Sequence, residues 1–131
     1  MFRTLQPIAD LQAKNISPVT LAFVGDAVYT LYVKQKLVQT HDRSTGALQK
    51  MSAAEVSAHG QNTLLERILP LLDEDELAVF KRGRNAKKPT RSKNATVAEY
   101  NNSTGFEALL GYLYLTGKSE RITFLLENNA R

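Results

Sequence analysis

The sequence predicts an all-α, single-domain protein, and three observations carry that prediction. Apolar residues recur at helical spacing nearly throughout. No stretch alternates apolar and polar residues at strand length between turn signals, and helix-starting and helix-stopping residues punctuate the chain at helix-length intervals. With 131 residues and 43% hydrophobic content, the chain suits one compact core that buries roughly two-thirds of its unfolded surface.

Ser17 and Pro18 supply an N-cap and a first-turn proline for a long apolar helix that runs to about Val38, and the polar stretch from Gln39 to Gly46 ends it. A second helix is expected over Ala47 to Ala58, punctuated by Gly60, and a shorter one over Thr63 to Leu69. Asp73 and Glu76 form a capping-box pattern for a helix ending near Gly83, where the acidic run also suits the helix dipole. The segment from about 84 to 95, with Pro89 inside it, has neither period and reads as an exposed loop. Thr96 and Glu99 make a second capping box, opening helical sequence to about Leu115 with a candidate break at Ser103, Thr104 and Gly105. Gly117 stops it, and an amphipathic helix from Ser119 to about Asn128 places Ile122, Leu125 and Leu126 on one face.

Charge is unevenly placed. Lys81, Arg82, Arg84, Lys87, Lys88, Arg91 and Lys93 are seven of the 17 basic residues, with no acid among them. The remainder of the chain is slightly acidic, so the whole net charge of +4 sits in one tract. Such a tract suits either a solvated loop or a polyanion partner, because phosphates neutralised on binding release their counterions. There are no cysteines and only two separated histidines, His41 and His59. Disulfides, thiolate metal sites and His clusters are thereby excluded, leaving oxygen ligands for any metal. Neither a signal peptide nor a membrane span is expected, so a cytoplasmic protein is the default.

Two carboxylates stand apart from the pattern. Asp26 lies in a helix that is apolar on all sides, next to Gly25, with Ala22 and Thr30 one turn away. Glu107 is the sole charge in FEALLGYLYL, with Gly111 one turn on. Neither has a basic residue within a helical turn, so burial requires a cation, a metal or hydrogen-bond donors. A distant Lys or Arg brought in by the fold would serve. So would a hard, oxygen-ligated cation such as magnesium. His41 and His59 fit capping, core or surface roles; Ser44, Ser52, Ser57 and Ser103 lack a nucleophile-elbow context; Tyr112 and Tyr114 suit a core or interface.

Three segments, LAFVGDAVYTLYV at 21–33, FKRGRNAK at 80–87 and STGFEALLGYLYL at 103–115, taken in this order, resemble the ribonuclease III catalytic domain. The similarity is to its short bacterial branch, Mini-ribonuclease III, which lacks the double-stranded RNA-binding domain. The resemblance implies a single ribonuclease III-type helical domain over 1–131 that forms a homodimer. It further implies Mg2+-dependent cleavage of double-stranded RNA to 5′-phosphate products, with maturation of the large-subunit (23S) ribosomal RNA precursor as the task. Ribosomal proteins bound to that RNA are candidate partners. Asp26 and Glu107 match the family's catalytic metal ligands. Two further acids of the full-length enzymes are replaced here by Ala22 and Thr104. Without a second domain, the duplex is expected to be held by Lys81, Arg82, Arg84, Asn85, Lys87, Lys88, Arg91 and Lys93, since A-form RNA is recognised through its shape and backbone. The competing expectation is a non-catalytic RNA-binding or ribosome-associated protein on the same fold.

Overall fold

In the computed structural model, which describes residues 5–88 and 95–128, every regular element is helical. In chain order these are α1 (Asp10–Lys14), α2 (Pro18–Thr40), α3 (Thr45–Val56), α4 (Ala58–Ile68), α5 (Glu74–Asn85), α6 (Val97–Leu115) and α7 (Ser119–Asn128), with a 3-10 turn at Leu69–Leu71 after α4. None of the described helices is long and apolar enough to cross a membrane.

α6 is the central element, packed most extensively against α2 and then α5. From Ser103 to Leu113 it is buried almost without interruption, only Glu107 being half-exposed. Phe106, Leu109, Leu110 and Leu113 have no exposed surface, and burial of each such side chain stabilises by roughly 1.5–3 kcal/mol. Leu21, Tyr29, Val33 and Leu37 of α2 supply the facing layer.

The two capping boxes form as expected, with Asp73 and Glu76 opening α5 and Thr96 and Glu99 opening α6. At the far end of α6, Lys118 N donates to Leu113 O and Gly117 N to Tyr114 O, with Gly117 at φ 76°. This paired closure needs a left-handed residue, which glycine adopts without a Cβ clash.

Several boundaries differ from expectation. The break between the second and third helices falls at Ser57, not Gly60, because the extended Ser57 backbone ends α3 while its hydroxyl caps Gly60 N at 3.0 Å. No break occurs at Ser103–Gly105, where the Ser103 and Thr104 hydroxyls donate back to Tyr100 O at 2.8 and 3.1 Å and leave the helix ladder intact. α5 continues past Gly83 to Asn85, so Arg84 and Asn85 are helical rather than part of a loop. Positions 89–94, the middle of the expected loop, lie outside the described residues. The short α1 was not expected. It is fastened by Ile8 N to Leu115 O at 2.9 Å and by the Asp10–Lys118 ion pair.

Candidate active site

The close approach of α2 to α6 builds the site. A Cβ on Gly25 would run into the Glu107 carbonyl, and a Cβ on Gly111 into the Leu21 carbonyl. Glycine at both positions lets the two backbones touch. Asp26 and Glu107 are thereby brought close enough for Asp26 to act on Glu107 both as a charge and as a hydrogen-bond partner.

Burial pushes the Glu107 carboxyl up to about 7; a hydrogen bond from Gln61 opposes the shift and the neighbouring Asp26 adds to it. Two acids that share a site without a compensating cation behave in this way. Gln61, on α4, donates from Nε2 to Glu107 Oε2 at 2.9 Å and to Val56 O at 3.0 Å. Beside it, Asn62 Nδ2 donates to Glu99 O at 2.9 Å and Asn102 Nδ2 to Asn62 Oδ1 at 3.1 Å. These bonds tie the start of α4 to the start of α6.

The expectation that Asp26 is buried in its own chain is corrected: it is exposed. α2 is apolar on all sides, but its outer side has no covering layer, and Phe23 (80% exposed), Leu31 and Val38 stand in solvent there. At 3.6 residues per turn these three share one face, and Asp26 borders it.

Ala22 and Thr104, where full-length enzymes would carry further acids, are both buried. The Thr104 hydroxyl is turned back onto Tyr100 O. Among the described residues no group of three or more His, Cys, Asp or Glu could hold a metal. The pair nevertheless suits magnesium, which binds through one or two carboxylates and fills its remaining octahedral positions with water and substrate phosphate oxygens.

The basic candidates are differently employed. Lys81 and Lys87 are exposed. Arg82 donates to Lys14 O at 2.7 Å and fastens the end of α1. Arg84 lies over the Phe80 ring and reaches Asn85 Oδ1 at 3.1 Å. The half-buried Lys88 donates to Arg84 O at 2.7 Å, closing the end of α5. Arg91 and Lys93 lie outside the described residues. The last turns of α5 meet α6 where Gly83 packs on Thr104, Gly105 and Ala108, so the basic end of α5 abuts the stretch that carries Glu107.

The remaining polar candidates are structural. His59 Nδ1 pairs with Glu99 Oε2 at 2.8 Å and His41 Nδ1 with Thr40 Oγ1 at 2.9 Å, both on the surface. Ser44 and Ser57 cap α3 and α4, and Ser103 bonds within α6. Tyr112 is buried, with Lys118 over its ring. Sequence reasoning missed Gln61. Its signal was present, because Gln61, Leu65 and Ile68 share the buried face of α4 and a polar side chain on such a stripe calls for a partner.

A helical domain whose central crossing presents two neighbouring carboxylates, with a basic helix end against the same stretch, defines the class: an acidic-pair site beside a basic surface. The sequence matches the family described as Ribonuclease III domain over residues 19–118. It is 45% identical over 113 residues to Mini-ribonuclease 3 of Thermoanaerobacter sp. (strain X514), covering 86% of this chain and 80% of that protein. It is 44% identical over 111 residues to Mini-ribonuclease 3 of Brevibacillus brevis, covering 85% and 83%. The fold superposes with TM-score 0.80 on the crystal structure of a Fusobacterium nucleatum protein at 32% identity, covering 88% of this chain and 92% of that one. The chain belongs to the ribonuclease III family.

Proposed function

We propose that this double-strand-specific endoribonuclease uses Mg2+ held by Asp26 and Glu107 to hydrolyse duplex RNA to 5′-phosphate products, in maturation of the large-subunit (23S) ribosomal RNA precursor. The observation that carries the reading is the Asp26–Glu107 pair itself. Burial and the neighbouring Asp26 both resist ionisation of Glu107, and neither acid has a Lys or Arg within a helical turn, so a bound cation would favour the charged form of Glu107. When bound, the cation supplies an activated water and stabilises charge on the phosphate.

The chain's own residues do the remainder. Gly25 and Gly111 set the carboxylates side by side, Gln61 holds one oxygen of Glu107, and half-burial of Glu107 strengthens its electrostatics. The exposed Lys81 and Lys87, with Arg82, Arg84, Asn85, Lys88, Arg91 and Lys93, form the proposed RNA grip, in which Arg82 and Lys88 also hold the backbone in place. The whole chain acts as one catalytic domain in the cytoplasm, and ribosomal proteins on the precursor are proposed to present it.

The active form is a homodimer across the outer face of α2. Phe23, Leu31 and Val38 project together from that face, and large apolar side chains so grouped mark an interface. Asp26 at its margin would then be enclosed on dimerisation, with one carboxylate pair per strand of the duplex. A non-catalytic RNA-binding role on the same fold is disfavoured by the retention of both acids. The test is cleavage of duplex RNA with and without Mg2+ by wild type, Asp26→Asn and Glu107→Gln. Metal-dependent cutting that both variants lose supports the reading; cutting by either variant at the wild-type rate overturns it.

A further inference from the structure

Gln61 is only 2% exposed, yet its amide is satisfied at one end alone. The nitrogen donates to two acceptors, the Val56 carbonyl and Glu107 Oε2. That settles which way round the amide lies, because exchanging its ends would set the amide oxygen against a carbonyl and a carboxylate. The oxygen is therefore Oε1 on the other side, buried, with no donor reaching it among the described residues. A buried acceptor left without a donor loses its hydration with nothing in return. Amide geometry keeps this oxygen within roughly 5 Å of Glu107 Oε2, so the unmet acceptor belongs to the surroundings of the carboxylate pair.

We propose that Gln61 is a positioning residue for the cation site. Its Nε2 sets the orientation of the Glu107 carboxylate, and its Oε1 accepts a hydrogen bond from a water held beside the Asp26–Glu107 pair. The inference rests on the reading of that pair as cation ligands. Gln61 engages Oε2 of Glu107, and that hold would fix the plane in which the carboxylate meets a cation. The placement is firm because the adjacent Asn62 is locked to both Glu99 and Asn102 of α6, so α4 cannot slide along α6 without breaking those bonds. Gln61 also reaches the site from a third helix, which neither acid-bearing helix could replace.

The experiment measures binding of Mn2+ alone, without RNA, to the full chain by electron paramagnetic resonance of the free ion. Gln61→Met and Gln61→Leu keep volume and remove the amide. Either is expected to weaken Mn2+ binding by roughly ten- to a hundred-fold. The same variant should lower kcat on duplex RNA while leaving KM nearly unchanged. In a Glu107→Gln background the Gln61 change should add little further loss of kcat, since a residue acting through Glu107 has nothing left to position. Should neither variant fold, the wild type decides, because the Gln61 side-chain amide resonances must shift as Mg2+ saturates the protein. Wild-type Mn2+ affinity in a folded Gln61 variant, with binding lost in Asp26→Asn, overturns the role of Gln61 alone. Unshifted Gln61 resonances at saturation do the same. Undiminished binding in Asp26→Asn as well overturns the reading of the pair, and this inference falls with it.

Discussion

Gly25 and Gly111 meet at the crossing of α2 and α6, where a Cβ on either would collide with backbone of the other helix. The contact that packs the two helices also sets the distance between the acids that follow and precede these glycines. Gly25→Ala or Gly111→Ala must push the helices apart. The expected loss is about 3 kcal/mol, at the upper end for overpacking because backbone rather than side chain must yield. Gly46→Ala, in open space near the start of α3, should instead be neutral or stabilising by up to about 1 kcal/mol. Urea denaturation of the three variants checks this; equal stability of Gly25→Ala and Gly46→Ala would contradict the crossing geometry.

Asp26→Asn and Glu107→Gln each remove a charge while nearly preserving shape. Stability without metal should hold or rise, because burial and the neighbouring Asp26 both oppose ionisation of Glu107. Mg2+ affinity should fall and cleavage drop by orders of magnitude, whereas binding of duplex RNA should survive. Filter binding alongside a cleavage time course separates these effects, and loss of RNA binding in Glu107→Gln would refute the division of labour.

Replacing Lys87, Lys88, Arg91 and Lys93 together with alanine should weaken RNA binding and lower its log–log salt slope by roughly three to four units if all four meet phosphates. Because Lys88 also closes α5 through Arg84 O, helicity of the variant should be checked by circular dichroism. An unchanged slope in a folded variant would place the RNA elsewhere.

Phe23→Asp puts a charge on the exposed apolar face of α2 and should yield a monomer by sedimentation at micromolar concentration. Phe23 is 80% exposed, so the thermal unfolding of that monomer should remain cooperative. A wild-type chain that sediments as a monomer and still cuts both strands would end the dimer proposal.

The buried Glu76 is gripped from two directions: Arg121 donates to both carboxylate oxygens at 2.7 Å, and Asp73 N donates to Oε1 at 2.9 Å. Burial raises its pKa, but Arg121 and the Asp73 amide outweigh burial and hold it below the usual 4.5. A depressed carboxylate contributes stability that is complete above its unfolded value and is lost as pH falls through the lower folded one. Arg121→Met leaves only the Asp73 amide and the Lys118 charge against burial, so the Glu76 pKa should rise and the variant should fall behind wild type in stability as pH rises through the carboxylate range. The deficit relative to wild type, on the order of 3 kcal/mol at neutral pH, should shrink in acid, as measured by denaturant midpoints.

Local chemistry determined most of the helical plan. The capping boxes at Asp73 and Thr96, the stop at Gly117 and the amphipathic α7 depend on residues within one turn of each other, which is why sequence alone located them. The oddity of Asp26 and Glu107 was legible for the same reason, since it concerned what their own helices lack. Only the tertiary structure decided what meets them. Gln61 against Glu107, Arg121 against Glu76 and Arg82 against Lys14 O pair residues 45 or more positions apart, and helical periodicity carries no information about which face meets which. Exposure of Asp26 was likewise beyond reach, because a helix apolar on all sides does not say which of its faces its own chain covers and which it leaves exposed.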